Sequence, residues 1–130
     1  DNPLVCGELI DELIDVFFKQ PYDYAYNQGD GGRTNTYPDG LGAEIVSFDL
    51  LRHLDRITNE QRHREHCLSY INDNPDKFRI VTFNPSDERI AYPWLKLDVD
   101  TFEDYRRLAI KKFDIKSRAY EIVKCFLEEK

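Results

Sequence analysis

The chain has 130 residues, 41% of them hydrophobic and 13% aromatic, which fits one compact domain with a real core and excludes a disordered segment. Its formal net charge is −7, from 25 acidic and 18 basic residues; that sign argues against a nucleic-acid partner, whose backbone is bound by Lys and Arg displacing counterions. No apolar run is long enough to span a bilayer and no basic amphipathic helix is present for anionic lipid, so no membrane partner is expected.

Met is absent and the first residue is Asp, so the chain is expected to be a processed product or a piece of something longer. Cys6, Cys67 and Cys125 are odd in number and widely separated. They suggest neither a zinc site nor a disulfide framework, and a reducing cytoplasm is the expected location.

In chain order, Leu9, Ile10, Leu13, Ile14 and Phe17 recur at helical spacing within "GELIDELIDVFFKQ", and Pro21 ends the run. "YDYAYN" alternates Tyr22, Tyr24 and Tyr26 on one face, a short strand. The segment from Gln28 to Gly42 holds five of the six glycines and Pro38, and reads as a loop. "AEIVSF" resumes as a strand, after which Ser47 caps a helix carrying Leu50, Leu51, Leu54 and Ile57. Asn59 opens another helix, "EQRHREHCLSYIND", with Cys67, Leu68 and Ile71 on its buried side and Asn74-Pro75 closing it.

"KFRIVTF" is a third strand, with Phe78, Ile80 and Thr82 opposing Arg79, Val81 and Phe83; "WLKLDVD" is a fourth. Helices follow at Phe102 to Phe113 and, after a Ser117 cap, at Ala119 to Glu129. Strands alternating with helices predict a layered α/β sheet.

Alternation in "LKLDVD" sets Leu95, Leu97 and Val99 on one face and Lys96, Asp98 and Asp100 on the other. Thr101 and Asp104 have the spacing of a capping box, so Glu103 and Asp104 are first-turn helix acids. Asp100 is not claimed by that role. A strand-end Asp at the carboxyl edge of an α/β sheet lies where such folds bind ligands, which makes it a candidate for metal or phosphate chemistry. His63 and His66 are one helical turn apart but lack a third ligand nearby.

Four segments together resemble one family. "DNPLV" looks like the "GDxPLI" segment of cytidylyltransferases that activate acidic or related sugars as CMP conjugates. "TYPDGLGAEIVSF" resembles "xYPDGLDVEVFS" of the branch linked to spore-coat polysaccharide synthesis. "HREHCLSYINDNPDKFRI" resembles "DREHVTPYIxxNPxxFKI", and "LKLDVDTFEDYRRL" resembles "LRWTVDTPEDLxLV". The motifs keep their order and cover nearly the whole chain.

The resemblance implies the C-terminal portion of a nucleotide-diphospho-sugar transferase fold, Rossmann-like and three-layer α/β/α. The Arg- and Gly-rich nucleotide loop of the N-terminal half has no counterpart here, so the implied segment is inactive by itself. The implied reaction transfers CMP from CTP to a sugar or sugar acid. Asp1 and Asp100 would be the catalytic carboxylates and the ligands of Mg²⁺, which favours one or two carboxylates plus substrate oxygens and water. By the same resemblance the loop "YPDGLGAE" lines the sugar site with Tyr37, Asp39, Gly40 and Glu44, while Arg64, Glu65 and His66 match a further substrate-binding motif. Gly42 stands where the branch carries Asp, implying a different sugar or an altered site.

Two other readings stand beside this one. Asp98-Val99-Asp100 has the form of the DxD metal motif of glycosyltransferases, which would predict UDP- or GDP-sugar binding with Mn²⁺. A non-catalytic interaction domain derived from the same fold would use an exposed sheet edge to recruit partners or form a homodimer.

Overall fold

The computed structural model describes residues 1–114 and 116–128. Helix α1 (Gly7–Phe17) buries Leu9, Leu13 and Phe17, spaced four apart so that they stack along one face. Three short strands follow in sequence: β1 (Tyr24–Tyr26), β2 (Glu44–Val46) and β3 (Ile80–Thr82). They form one sheet in the order β2-β1-β3, with β1 antiparallel to β2 and parallel to β3.

The register explains how the sheet is covered. Tyr24 pairs with Val46 and Ile80, and these three face Leu54, Leu68 and Ile71. The last three come from α2 (Phe48–Ile57), the turn after α3 (Gln61–Glu65), and α4 (Ser69–Asp73). Ala25 pairs with Ile45 and Val81, and these face Leu13 and Phe17 of α1. Period-two alternation thus gives each face its own helical cover, an α/β/α layering built on a small mixed sheet.

A third apolar cluster lies beyond the sheet. Tyr37, Leu41, Leu95 and Leu97 pack there with Ile122, Val123 and Phe126 of α6 (Ala119–Leu127). Glu8 of α1 accepts hydrogen bonds from Ala119 N at 2.8 Å and Arg118 Nε at 3.1 Å, so a carboxylate from another helix satisfies the start of α6. Among the described residues no helix is long and apolar enough to cross a membrane.

Several expected elements change in detail. Ser47 does cap α2, accepting from Leu50 N at 3.1 Å. The helix expected from Asn59 is instead α3 and α4, broken at His66 to Leu68; the break changes the helical phase and leaves Cys67 exposed. "WLKLDVD" forms a single bridge between Asp39 and Lys96 in place of a fourth strand, its other backbone partner being Asp1. Helix α5 (Phe102–Ala109) stops short of Phe113, whose ring turns back to stack on Phe126 at 5.7 Å. Arg118, not Ser117, holds the N-cap position of α6, and the expected end of that helix at Glu129 lies outside the described residues. Tyr24 and Tyr26 share a face and stack at 5.2 Å, but Tyr22 packs into the cluster on α1's side.

Candidate functional site

The extended segment from Leu95 to Asp100 organises the site. Asp39 N donates to Leu95 O at 3.0 Å and Leu97 N donates to Asp39 O at 2.8 Å, which sets Asp39 opposite Lys96. Further along, Val99 N donates to Asp1 O at 2.8 Å and Asp1 N donates to Val99 O. One stretch of backbone therefore gathers Asp39 and Asp1, and Asp1 lies beside the residue preceding Asp100. Burial of Leu95 and Leu97 in the α6 cluster sends the alternate side chains, Lys96, Asp98 and Asp100, to the opposite face.

Those three side chains meet. Lys96 Nζ lies 2.8 Å from Asp100, 3.3 Å from Asp104 and 3.5 Å from Asp98. Asp104 closes the capping box of α5, accepting from Thr101 N and Oγ1 at 2.9 and 2.8 Å. The hydrogen bond from Thr101 and the Lys96 ammonium hold the Asp104 carboxyl far below the usual carboxylate range. The Lys96 hydrogen bond likewise depresses Asp100. Asp98 is 7% exposed, and its Oδ1 is buried without a hydrogen-bond partner among the described residues.

The remaining candidates fall elsewhere. Tyr37 is fully buried and donates its hydroxyl to Glu12 at 3.1 Å, so its ring packs the loop from inside. Glu44 accepts the Tyr24 hydroxyl and lines a separate cleft of about 400 Å³ with Tyr26, Asp30 and Arg33. Arg64 pairs with Asp55 beside a groove of about 360 Å³ that includes Phe48, Leu51 and Cys67. Glu65 and His66 are exposed at the end of α3. Among the described residues, no hydrogen bond or ion pair links Arg64, Glu65 or His66 to the Asp39–Asp100 cluster. Among the described residues, too, no three His, Cys, Asp or Glu side chains form a metal cage by themselves.

No family model matches the chain. It is 36% identical over 109 residues to the spore coat polysaccharide biosynthesis protein SpsF of Bacillus subtilis (strain 168), covering 83% of this chain and 42% of that protein. It is 31% identical over 106 residues to the uncharacterized protein MJ1063 of Methanocaldococcus jannaschii, covering 82% of this chain and 40% of that one. The fold matches a cytidylyltransferase from Leptospira borgpetersenii serovar Hardjo-bovis (strain JB197) with a TM-score of 0.77 and 25% identity, over 98% of this chain and 53% of the other.

The chain belongs to the cytidylyltransferase superfamily. It spans less than half the length of the two curated relatives. Within this superfamily member, Gly40 is the residue that lets the "YPDGLGAE" loop reach the acidic cluster. Its φ is +90°, and a Cβ there would sit 2.5 Å from Asp98 N, so the loop backbone lies directly against the Asp98 backbone.

Burial, and then the nearby Asp98 charge, push the Asp39 carboxyl above the usual range. A raised folded-state value means that Asp39 favours the fold most at pH below the ordinary carboxylate value, and that this contribution is lost as pH rises through the raised value. Asp39→Asn is therefore expected to stabilise the protein at pH 7 by up to about 1 kcal/mol, the scale of a partly solvated charge interaction. Urea unfolding should show the gain at pH 7 and none near pH 3; an equal gain at both would remove the electrostatic cause.

Sequence reasoning missed two features. Lys96 is the shared counter-ion of the cluster, and the signal for it was the K-x-D-x-D alternation itself. His63 is buried, with Nδ1 2.8 Å from Thr58 Oγ1 and Nε2 3.0 Å from Asp73 Oδ2. It ties the end of α2 to α4, while His66 is exposed. No spacing rule announces that tether, because Thr58 and Asp73 reach it only through the break between α3 and α4.

Proposed function

We propose that this chain provides the metal-side and sugar-side part of a cytidylyltransferase that transfers CMP from CTP to a sugar or sugar acid for polysaccharide synthesis. The observation that supports the reading is the backbone pairing of Asp1 with Val99, which sets Asp1 beside the residue preceding Asp100 from 98 residues away in sequence. The names of the relatives, a spore coat polysaccharide biosynthesis protein and a cytidylyltransferase, support the same chemistry.

The donor set suits Mg²⁺. Carboxylate oxygens are the hard ligands it prefers, and it takes only one or two from protein, with substrate oxygens and water completing the shell. The buried Asp98 Oδ1 without a partner and the ammonium already held by Asp98 and Asp100 mark this as a place that attracts a cation. By the resemblance, Asp1 and Asp100 would hold the ion, with Asp98 beside Asp100 on the shared Lys96 ammonium. When bound, Mg²⁺ neutralises charge on the triphosphate and the departing pyrophosphate.

In the reaction a sugar hydroxyl oxygen forms a bond to the α-phosphorus, and the bond from that phosphorus to the bridging oxygen of pyrophosphate breaks. The electron pair leaves with pyrophosphate, and the hydroxyl proton is lost to a base or to solvent. Asp39, held against Lys96 by the bridge, can accept a hydrogen bond from the incoming hydroxyl, and Gly40 keeps the loop close enough for it to do so.

The test combines this chain with the N-terminal portion of a superfamily relative and follows CTP-dependent pyrophosphate release across a panel of sugars and sugar acids. Release that requires both parts and stops with EDTA is the expected outcome. If the combination binds UDP- or GDP-sugars with Mn²⁺ but not CTP, the glycosyltransferase reading replaces this one. If it binds no nucleotide, the catalytic reading fails.

A further inference from the structure

Lys96 is placed where a cation bound at Asp100 must contend with it. Its ammonium contacts Asp100, Asp104 and Asp98 at 2.8, 3.3 and 3.5 Å. Asp104 is already occupied by Thr101 and the backbone N–H of Asp100. That leaves Asp98 and Asp100 as the two carboxylates facing the Lys96 ammonium, with Asp39 opposite on the paired backbone. One oxygen of this group, Asp98 Oδ1, is buried and has no partner among the described residues. A buried carboxylate oxygen without a donor is costly, so the cluster is under-compensated with Lys96 in place. A divalent cation would complete it, but only against repulsion from an ammonium a few ångströms away.

Building on the cytidylyltransferase reading, we propose that Lys96 is an internal competitor for the divalent cation, which makes the site bind metal weakly until the metal arrives with a nucleoside triphosphate. The lysine side chain is 42% exposed and its four-carbon stem is flexible, so the ammonium can swing out of the carboxylates. Free metal gives the displaced ammonium nothing to bind but water. A metal–triphosphate complex brings phosphate oxygens that accept the ammonium, so the same displacement becomes favourable. The device couples metal entry to nucleotide entry. It also makes Lys96 a positioning residue for the phosphates.

The test measures Mn²⁺ binding to this chain by the loss of the free-ion electron paramagnetic resonance signal, without nucleotide. Lys96→Gln is expected to bind Mn²⁺ at least about tenfold more tightly than wild type, equivalent to about 1.4 kcal/mol. Lys96→Arg keeps the charge and should stay near wild type, and Lys19→Gln, an equal change in net charge far from the cluster, should have no effect. Asp100→Asn should abolish the binding gained in Lys96→Gln. Unchanged or weaker affinity in Lys96→Gln, or no detectable binding in either protein, overturns the competitor role. If Lys96→Gln and wild type bind alike and Asp100→Asn still removes that binding, the metal reading survives and only the role of Lys96 is lost. If Asp100→Asn leaves binding intact in every background, the metal assignment falls and the role of Lys96 falls with it.

Discussion

Gly42→Ala is expected to destabilise the protein by about 3 kcal/mol or more and to lower its melting temperature by roughly 10 °C. A Cβ at this position would lie 2.1 Å from the backbone oxygen of Asn27 and 2.5 Å from its carbonyl carbon, well inside contact distance. The obstacle is backbone, which cannot rotate away as a flexible side-chain tip would. Asn27 is also a buried junction: its Nδ2 donates to Leu9 O at 2.7 Å, its Oδ1 accepts from Ala43 N at 2.9 Å, and its own N donates to Ala43 O at 3.1 Å. Pushing it aside strains packing and weakens hydrogen bonds that join α1 to the sheet, and an unmet buried polar group adds about 1–3 kcal/mol. Gly42→Asp, which installs the residue carried by the resembling motif, should be worse because it also buries a charge. Thermal and urea unfolding of both variants check this; a change below about 1 kcal/mol in Gly42→Ala would remove the packing explanation. The backbone of β1's exit pressing on the loop is thus a packing reason for glycine at this position.

Asp100→Asn is expected to lower CTP-dependent pyrophosphate release by about a thousandfold in the completed enzyme, while leaving the fold nearly intact. Loss of one charged ligand removes several kcal/mol of charge stabilisation from phosphoryl-type transfer, and each 1.36 kcal/mol is about tenfold in rate. The fold should tolerate the change because the Asp100 side chain is 65% exposed and its ion pair with Lys96 is solvated. The split between lost turnover and retained melting temperature separates a ligand from a structural residue. A rate within about threefold of wild type would end the assignment of Asp100, and a collapse of stability would show that its role is structural.

Much of the fold was legible because it depends on local periodicity. The four-residue spacing of Leu9, Leu13 and Phe17 gave α1, and the alternation of Phe78 and Ile80 against Val81 and Phe83 divided β3 between two clusters as expected. Thr101 and Asp104 formed their capping box because both partners lie within one helical turn. The break between α3 and α4 was not legible. "EQRHREHCLSYIND" keeps a helical composition, and His63 is drawn inward by Thr58 and Asp73, which no window of that length contains together. The fourth strand failed for a related reason: a strand exists only with a partner, and among the described residues Leu95 to Asp100 pairs only singly, with Asp39 and with Asp1.

By itself, the sequence determined which residues carry charge at the site, since alternation alone sends Lys96, Asp98 and Asp100 to the face opposite Leu95 and Leu97. It could not decide which distant residues join them, or whether the lysine opposes the carboxylates or bridges them. Those outcomes were set in three dimensions by the hydrogen bonds from Asp39 and Asp1 to one extended backbone and by the burial of Tyr37 beneath the loop. The physical reason is range. Side-chain direction follows from the nearest covalent neighbours, whereas proximity across 98 residues exists only once the apolar core has closed around both ends.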